Sequence, residues 1–90
     1  MKKTIITVVG KDQVGIIGKI CTFLADHSVN ILDITQTIVA GYFNMMMIVE
    51  ADQTGNEFLS MVDELKQVGE SIGVVIQAQQ EDIFNMMHRI

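Results

Sequence analysis

The 90-residue sequence contains no proline and no tryptophan, a single cysteine, and six basic residues against eleven acidic ones. A lone cysteine excludes an internal disulfide and any metal site built from several cysteines. The net charge of −5 argues against binding to a nucleic-acid backbone or to an anionic membrane. No apolar run approaches the roughly 20 residues that a membrane-spanning helix needs. We therefore expect a cytoplasmic protein that binds neither nucleic acid nor membranes.

Apolar residues make up 49% of the chain, which is too large a share for a disordered segment. Met1-Lys2-Lys3 is followed by apolar residues that alternate with threonine and stop at Gly10, so no signal-peptide core is present. No internal repeat, proline-rich linker or low-complexity stretch divides the sequence. We expect residues 1–90 to form a single domain. A chain this small buries only roughly 60–65% of its unfolded surface, so its stability is modest unless it associates.

Apolar periodicity predicts four strands and three helices along the chain. In order, these are a strand over 3–9, a helix over 13–27, strands over 31–39 and 42–50, a helix from the capping-box sequence at 54–57, a strand over 74–79, and a short helix within 81–90. Ala40-Gly41 suits a tight turn between the two middle strands. With right-handed crossovers, this order predicts an α+β, ferredoxin-like βαββαβ fold. It has a four-stranded antiparallel sheet, two helices on one face and a short C-terminal helix.

The same periodicity predicts which side chains are buried. The first helix should bury Val14, Ile17, Ile20, Cys21 and Leu24, with Ile16 and Phe23 widening the stripe. The strand over 31–39 should direct Leu32, Ile34 and Ile38 to one face and Asp33, Thr35 and Thr37 to the other, and the next strand should direct Phe43, Met45, Met47 and Val49 inward. Cys21 is therefore predicted to be a core residue and not a nucleophile.

The turn between the first strand and the first helix is the strongest candidate for a binding site. Gly10 suits a sharp turn, and Asp12 is predicted to cap the helix by accepting a hydrogen bond from an amide near Gly15. Because Gly15 has no side chain, a small molecule could come close to the first helical turn. Free amides and the helix dipole favour a carboxylate or a phosphate there. The alternative is an ordinary capped turn whose glycines only ease packing.

Other chemistries find little support in the residues. A phosphatase of this topology would need an arginine in the first loop, and a metal carrier would need two cysteines there; the loop has Lys11 and neither of these. An RNA-binding sheet would need aromatic residues on the first and third strands over a basic surface, but the first strand has no aromatic residue and the net charge is negative. His27 and His88 have no carboxylate at helical spacing to orient them. We therefore predict no catalytic residues, no metal site and no cofactor.

The sequence resembles the ACT domain family in two segments and, more loosely, over its whole length. Val8-Val9-Gly10-Lys11-Asp12-Gln13-Val14-Gly15-Ile16 contains the D-x-x-G-I pattern that enters the first helix in this family. Ala25-Asp26-His27-Ser28-Val29-Asn30-Ile31-Leu32-Asp33-Ile34 contains the N-I pair that enters the second strand. The chain is similar to small stand-alone bacterial ACT proteins. Its opening segment also resembles the ACT domains of the glycine cleavage system repressor and of formyltetrahydrofolate deformylase.

The resemblance implies a regulatory, ligand-binding module that forms a homodimer. In amino-acid-binding relatives the effector lies between subunits, against the first loop and the start of the second strand. The corresponding ligand-binding positions here are Asp12, Gln13, Val14, Gly15, Ile16, Asn30 and Ile31. The implied partners are an amino acid and a regulated protein that the sequence does not identify. The alternative is a structural or interaction dimer that binds no small molecule.

The predicted sheet also indicates how two subunits would associate. The strand over 31–39 lies at a sheet edge, and it contains no proline, no lysine and one charged residue, Asp33. Soluble proteins normally protect such an edge. We therefore expect a homodimer that pairs this strand and the first helix with their two-fold mates. The C-terminal segment either adds to that contact or covers its own subunit, and the sequence does not decide between the two.

Overall fold

The computed structural model describes residues 2–11, 14–51 and 55–80. Its elements are β1 (Lys2–Lys11), α1 (Ile16–Asp26), β2 (Asn30–Val39), β3 (Tyr42–Ala51), α2 (Gly55–Ser71) and β4 (Val74–Gln80). The ferredoxin-like βαββαβ order predicted from the sequence is confirmed. The predicted helix within 81–90 and the threonine of the predicted capping box lie outside the described residues.

The four strands form one antiparallel sheet in the order β2-β3-β1-β4. The first strand of the chain is thus central, and β2 and β4 are the edges, as predicted. Ala40 and Gly41 both have positive φ angles, 52° and 82°, and join β2 to β3 in a tight hairpin. In the part of the chain that the structure describes, neither helix has the length and apolarity needed to cross a membrane.

The hydrophobic core lies between the helices and one face of the sheet. The predicted inward residues of β3, namely Phe43, Met45, Met47 and Val49, are all buried, together with Ile6 and Val8 of β1, Ile20 and Leu24 of α1, Leu65 of α2, and Val74 and Ile76 of β4. Gly69 lies inside α2, at the point where this helix packs against β4. A Cβ there would come within 2.8 Å of the Ile76 side chain, so glycine permits this close approach.

The start of α1 differs from the prediction. The helix begins at Ile16, not near residue 13, and its N-cap is Gly15, with no side-chain hydrogen bond capping it. The N-cap is therefore Gly15 and not Asp12, and Asp12 itself lies outside the described residues. Val14 is fully exposed and does not belong to the buried stripe, because it precedes the helix and lacks the helical geometry on which that prediction depended. Cys21 is only half-buried and forms no disulfide.

Strand β2 is far more exposed than its apolar sequence suggests. Only Ile31 of its ten residues is even half-buried. A register shift between Ile31 and Asp33 interrupts the strict alternation that we predicted. Beyond it, Ile34 and Ile38 pair with the buried Met47 and Phe43, so they face the helix side of the sheet. The two helices do not reach far enough to cover them.

Candidate functional site

The β1–α1 loop brings the backbone of the first helical turn to the surface. Gly15 has a φ of +92°, a left-handed conformation that side-chain-bearing residues rarely adopt. A Cβ built on Gly15 would have no atom within 4 Å, so the space beside it is open. The Gly15 carbonyl accepts the Lys19 amide at 3.0 Å, which starts the helical hydrogen-bond pattern. Buried Ile16 anchors this turn in the core.

The electrostatics of this helix start favour an anion. The first turn of α1 carries no acidic residue, and its N-cap, Gly15, has no side chain with which to cap the amides. The first amides of a helix have no partner within the helix, and the positive end of the helix dipole lies at this turn, next to the open space at Gly15. Lys11 is exposed at the end of β1 and adds a positive charge to the same loop. Asp12 and Gln13, predicted ligand-binding residues, lie outside the described residues.

The structure places the other predicted binding residues at the opposite end of the sheet. Asn30 pairs with Glu50, and Glu50 also pairs with Lys3 near the start of β1. Lys11, at the loop end of β1, is eight residues from Lys3, or about 27 Å along the strand. Val14, Gly15 and Ile16 therefore lie together, as do exposed Asn30 and half-buried Ile31. The two groups do not meet within one chain.

Two grooves lie along the helices, away from both groups of predicted residues. A groove of about 460 Å³ between α1 and α2 is lined by Gly18, Phe23, Asp26 and Val68, among others. A second groove of about 380 Å³ lies at the C-terminal end of α1, where His27 meets Glu57, Ser60 and Glu64 of α2. Among the described residues, no three histidine, cysteine, aspartate or glutamate side chains come together to hold a metal ion.

His27 connects the two helices through both ring nitrogens. Nδ1 donates to the Phe23 carbonyl at 2.9 Å, and Nε2 donates to Glu64 Oε2 at 3.1 Å, while the ring stacks on Phe23. Both neighbours are acceptors, so only the protonated imidazolium satisfies both hydrogen bonds. The Phe23 carbonyl, and then Glu64, raise the pKa of His27 above its ordinary 6.5. Sequence spacing missed Glu64 because it lies 37 residues away, on the other helix.

This fold is the one shared by ACT domains. Residues 2–79 match the ACT domain family, and the chain belongs to that family. ACT domains are typically regulatory modules that bind small molecules. The chain is 57% identical over 90 residues to a UPF0237 protein of Bifidobacterium longum. It is 41% identical over 90 residues to a UPF0237 protein of Methanocaldococcus jannaschii, and both alignments cover the whole of both chains.

Solved structures agree with the family assignment. An ACT domain protein from Streptococcus pneumoniae superposes with a TM-score of 0.81 at 38% identity, over 92% of this chain and 93% of that one. A putative glycine cleavage system transcriptional repressor gives a TM-score of 0.73 at 19% identity, over 88% of this chain and 45% of that one. A formyltetrahydrofolate deformylase from Burkholderia mallei gives 0.78 at 11% identity, over 89% and 28%. The last two show the fold alone, and all three confirm the resemblance predicted from the sequence.

Proposed function

We propose that this protein is a cytoplasmic regulatory module that binds an amino acid at a site shared between the two subunits of a homodimer. Ligand binding would change how the dimer acts on a separate, regulated protein. The observation that carries the proposal is the separation of the predicted site into two groups of residues, one at each end of the sheet. Val14 and Gly15 lie at one end and Asn30 at the other.

Two-fold pairing of β2 would remove this separation. The outer edge of β2 faces no other strand among the described residues, so it is available to a second copy. Antiparallel pairing reverses the direction of the partner strand. With the two-fold axis near Ile34 and Thr35, Asn30 of the partner subunit would lie beside Val39, at the loop end of the sheet. One loop and one Asn30 would then form each of two identical sites.

The residues at each end suit the two charged groups of an amino acid. The amides at the start of α1, where the N-cap is a glycine, suit the α-carboxylate. Asp12, or the partner subunit's Asn30, would accept hydrogen bonds from the α-ammonium. Gln13, Ile16 and Ile31 complete the proposed binding residues, and Ile16 acts by holding the helix start in the core.

The surface of β2 supports the proposed interface. Leu32, Ile34, Ile38 and Val39 are large apolar residues that remain exposed in the single chain. Asp33 Oδ1 accepts the Ile34 amide at 2.8 Å, beside the register shift, so one amide of the strand is already bonded locally. The following segment from Thr35 to Val39 has no such interruption and is the better candidate for continuous pairing.

Calorimetric titration of the full chain with the common amino acids tests ligand binding. For a ligand as small as glycine or serine, ideal contacts give no more than about −7 to −10 kcal/mol. We therefore expect dissociation constants between micromolar and millimolar, and a ligand-dependent increase in Tm. A dimer whose Tm is unchanged by every amino acid at millimolar concentration would support the alternative, an interaction dimer without a small-molecule ligand.

A mixing experiment tests whether the site is shared. Gly15→Asn keeps a residue that tolerates positive φ but adds a side chain to the open space, and Asn30→Ala removes the second half of the site. Each variant alone should lose binding. In an equal mixture, half of the dimers are mixed, and each mixed dimer contains one intact site. Binding with wild-type affinity should return at about a quarter of the wild-type stoichiometry. A mixture that remains inactive would contradict a shared site.

A further inference from the structure

The sheet has a second face, directed away from α1 and α2. We call this surface the open face. Its central residues alternate with the core positions, and they are Lys3, Ile5, Thr7 and Val9 of β1; Asn44, Met46 and Ile48 of β3; and Val75, Gln77 and Gln79 of β4. Polar residues surround them, including Glu50 opposite Lys3 and Asp33 opposite Ile48. Five of the ten central residues are apolar, which is a large share for a sheet surface left in water.

Burial along the open face is uneven. Ile5 retains only 7% of its exposure, and its cross-strand partner Ile48 is half-buried. Val9 and Val75, at the other end of the same face, are 47% and 63% exposed. The neighbouring strands are equally present at both ends, so they do not account for this difference. The end of the face that contains Ile5 is therefore covered, although both described helices lie on the opposite face.

The position of the chain end indicates what covers Ile5. β4 ends at Gln80, which pairs with Thr4, the residue before Ile5. The remaining residues, 81–90, thus continue from the covered end of the face and not from the exposed end. Ten residues span about 15 Å even as a helix, which is long enough to pass over Ile5 and Ile48.

The composition of this segment complements the surface. Ile83, Met86, Met87 and Ile90 recur at helical spacing and give the segment one apolar side. Methionine side chains adapt to irregular apolar surfaces. Among the described residues, the only basic one at this end of the open face, Lys3, already pairs with Glu50, so apolar contact and not charge is what the segment and this surface share.

We propose that residues 81–90 dock on the open face of their own subunit, over Ile5 and Ile48, and leave Val9 and Val75 exposed. The proposal does not depend on ligand binding or on the β2 interface. It assigns the C-terminal segment to the sheet surface opposite the helices.

Methyl NMR of the full-length protein tests this directly. Labelling isoleucine δ1 and methionine ε methyl groups should give nuclear Overhauser contacts from Ile5 and Ile48 to Met86 or Met87. A sample that mixes two differently labelled preparations separates contacts within a chain from contacts between chains. Contacts within one chain support the proposal. The absence of contacts to any apolar residue of 81–90, or contacts only between chains, would overturn it.

A thermodynamic cycle gives a second, independent test. The chain ending at Gln80 should bind more of a hydrophobic dye and melt lower than the full chain, by about 5–10 °C. Ile5→Ala should lower Tm in the full chain and have a much smaller effect in the truncated chain, because the partner of Ile5 is already gone. Val75→Ala, on the exposed end of the same face, is the matched control and should have the same effect in both backgrounds. If Ile5→Ala lowered Tm equally in the full chain and in the chain ending at Gln80, residues 81–90 would not be docked on Ile5.

Discussion

Strands β2 and β3 are neighbours of equal length, and both are rich in large apolar residues, yet their surroundings are opposite. In β3 the inward residues are buried in a regular alternation, whereas in β2 the paired positions remain in contact with solvent. Ile34 and Met47 are directly opposite each other on the same face, but Ile34 is 42% exposed and Met47 is fully buried. The position of a strand in the sheet, and not its hydrophobicity, decides how much of it one chain can bury.

The comparison also indicates what β2 lacks. Among the described residues, β3 has a strand on each side and its inward side chains are buried, while β2 has a strand on one side and nearly all of its side chains are exposed. An apolar strand at that position is costly for an isolated chain, because its exposed apolar surface and free backbone edge favour association. A second subunit would give β2 the surroundings that β3 already has.

The largest expected effect comes from truncating the buried member of the pair. Met47→Ala should lower the free energy of unfolding by about 2–5 kcal/mol, because it leaves a cavity in the core. Ile34→Ala, on the opposite strand, should cost less than about 1 kcal/mol in the monomer. Urea denaturation at low protein concentration measures both. Similar losses of unfolding free energy for the two variants would show that the difference in burial between Met47 and Ile34 does not decide their contributions to stability.

A charged residue on the exposed strand β2 should weaken dimerisation without destabilising the single chain. Ile38→Glu places a carboxylate opposite the apolar Ile31 of the partner subunit, at both ends of the proposed two-fold interface, and should weaken dimerisation at least about tenfold. Val75→Glu, on the other edge strand and similarly exposed, is the matched control. Sedimentation equilibrium at micromolar concentration distinguishes them. A wild-type protein that stays monomeric would refute both the interface and the shared site.

Two glycines extend the comparison from strands to single residues. Both Gly15 and Gly18 have open space where a Cβ would lie, but only Gly15 has a positive φ. Gly15→Ala should therefore cost about 1–2 kcal/mol. Gly18→Ala, inside α1, should stabilise the protein by up to about 1 kcal/mol. Thermal unfolding of the two variants tests this, and a stabilising Gly15→Ala would contradict the conformation at the start of α1.

The smallest effect concerns the link between His27 and Glu64. The pKa of His27 is raised above 6.5 in the folded state, so the link stabilises the protein below that pH and is lost as pH rises through the folded pKa. Glu64→Gln should lower stability near pH 5.5, by less than about 1 kcal/mol since Glu64 is exposed, and should have almost no effect near pH 8. Glu70→Gln on the same helix is the control. Equal effects of Glu64→Gln at both pH values would contradict the link.

The helices, the strands and the buried residues of β3 could be predicted from the sequence, because apolar alternation and turn residues depend only on neighbouring positions. Features that depend on distant residues were missed. Val14 has the spacing of a core residue, but the helix starts too late to bury it. Glu64 reaches His27 only because the fold packs α1 on α2. For the binding residues, the resemblance supplied the list, and only the sheet register revealed that one chain keeps Gly15 and Asn30 apart.

The central position of β1 has a consequence for synthesis on the ribosome. Of the four described strands β1 is made first, but its two neighbours are β3 and β4, and β4 is made last of the four. Until residues 74–80 have left the exit tunnel, one edge of β1 stays open, and a nascent chain with an open apolar edge is prone to pair with other chains. The pairing of Thr4 with Gln80 joins residues that are far apart in the sequence, so the described sheet is complete only after this long-range contact has formed.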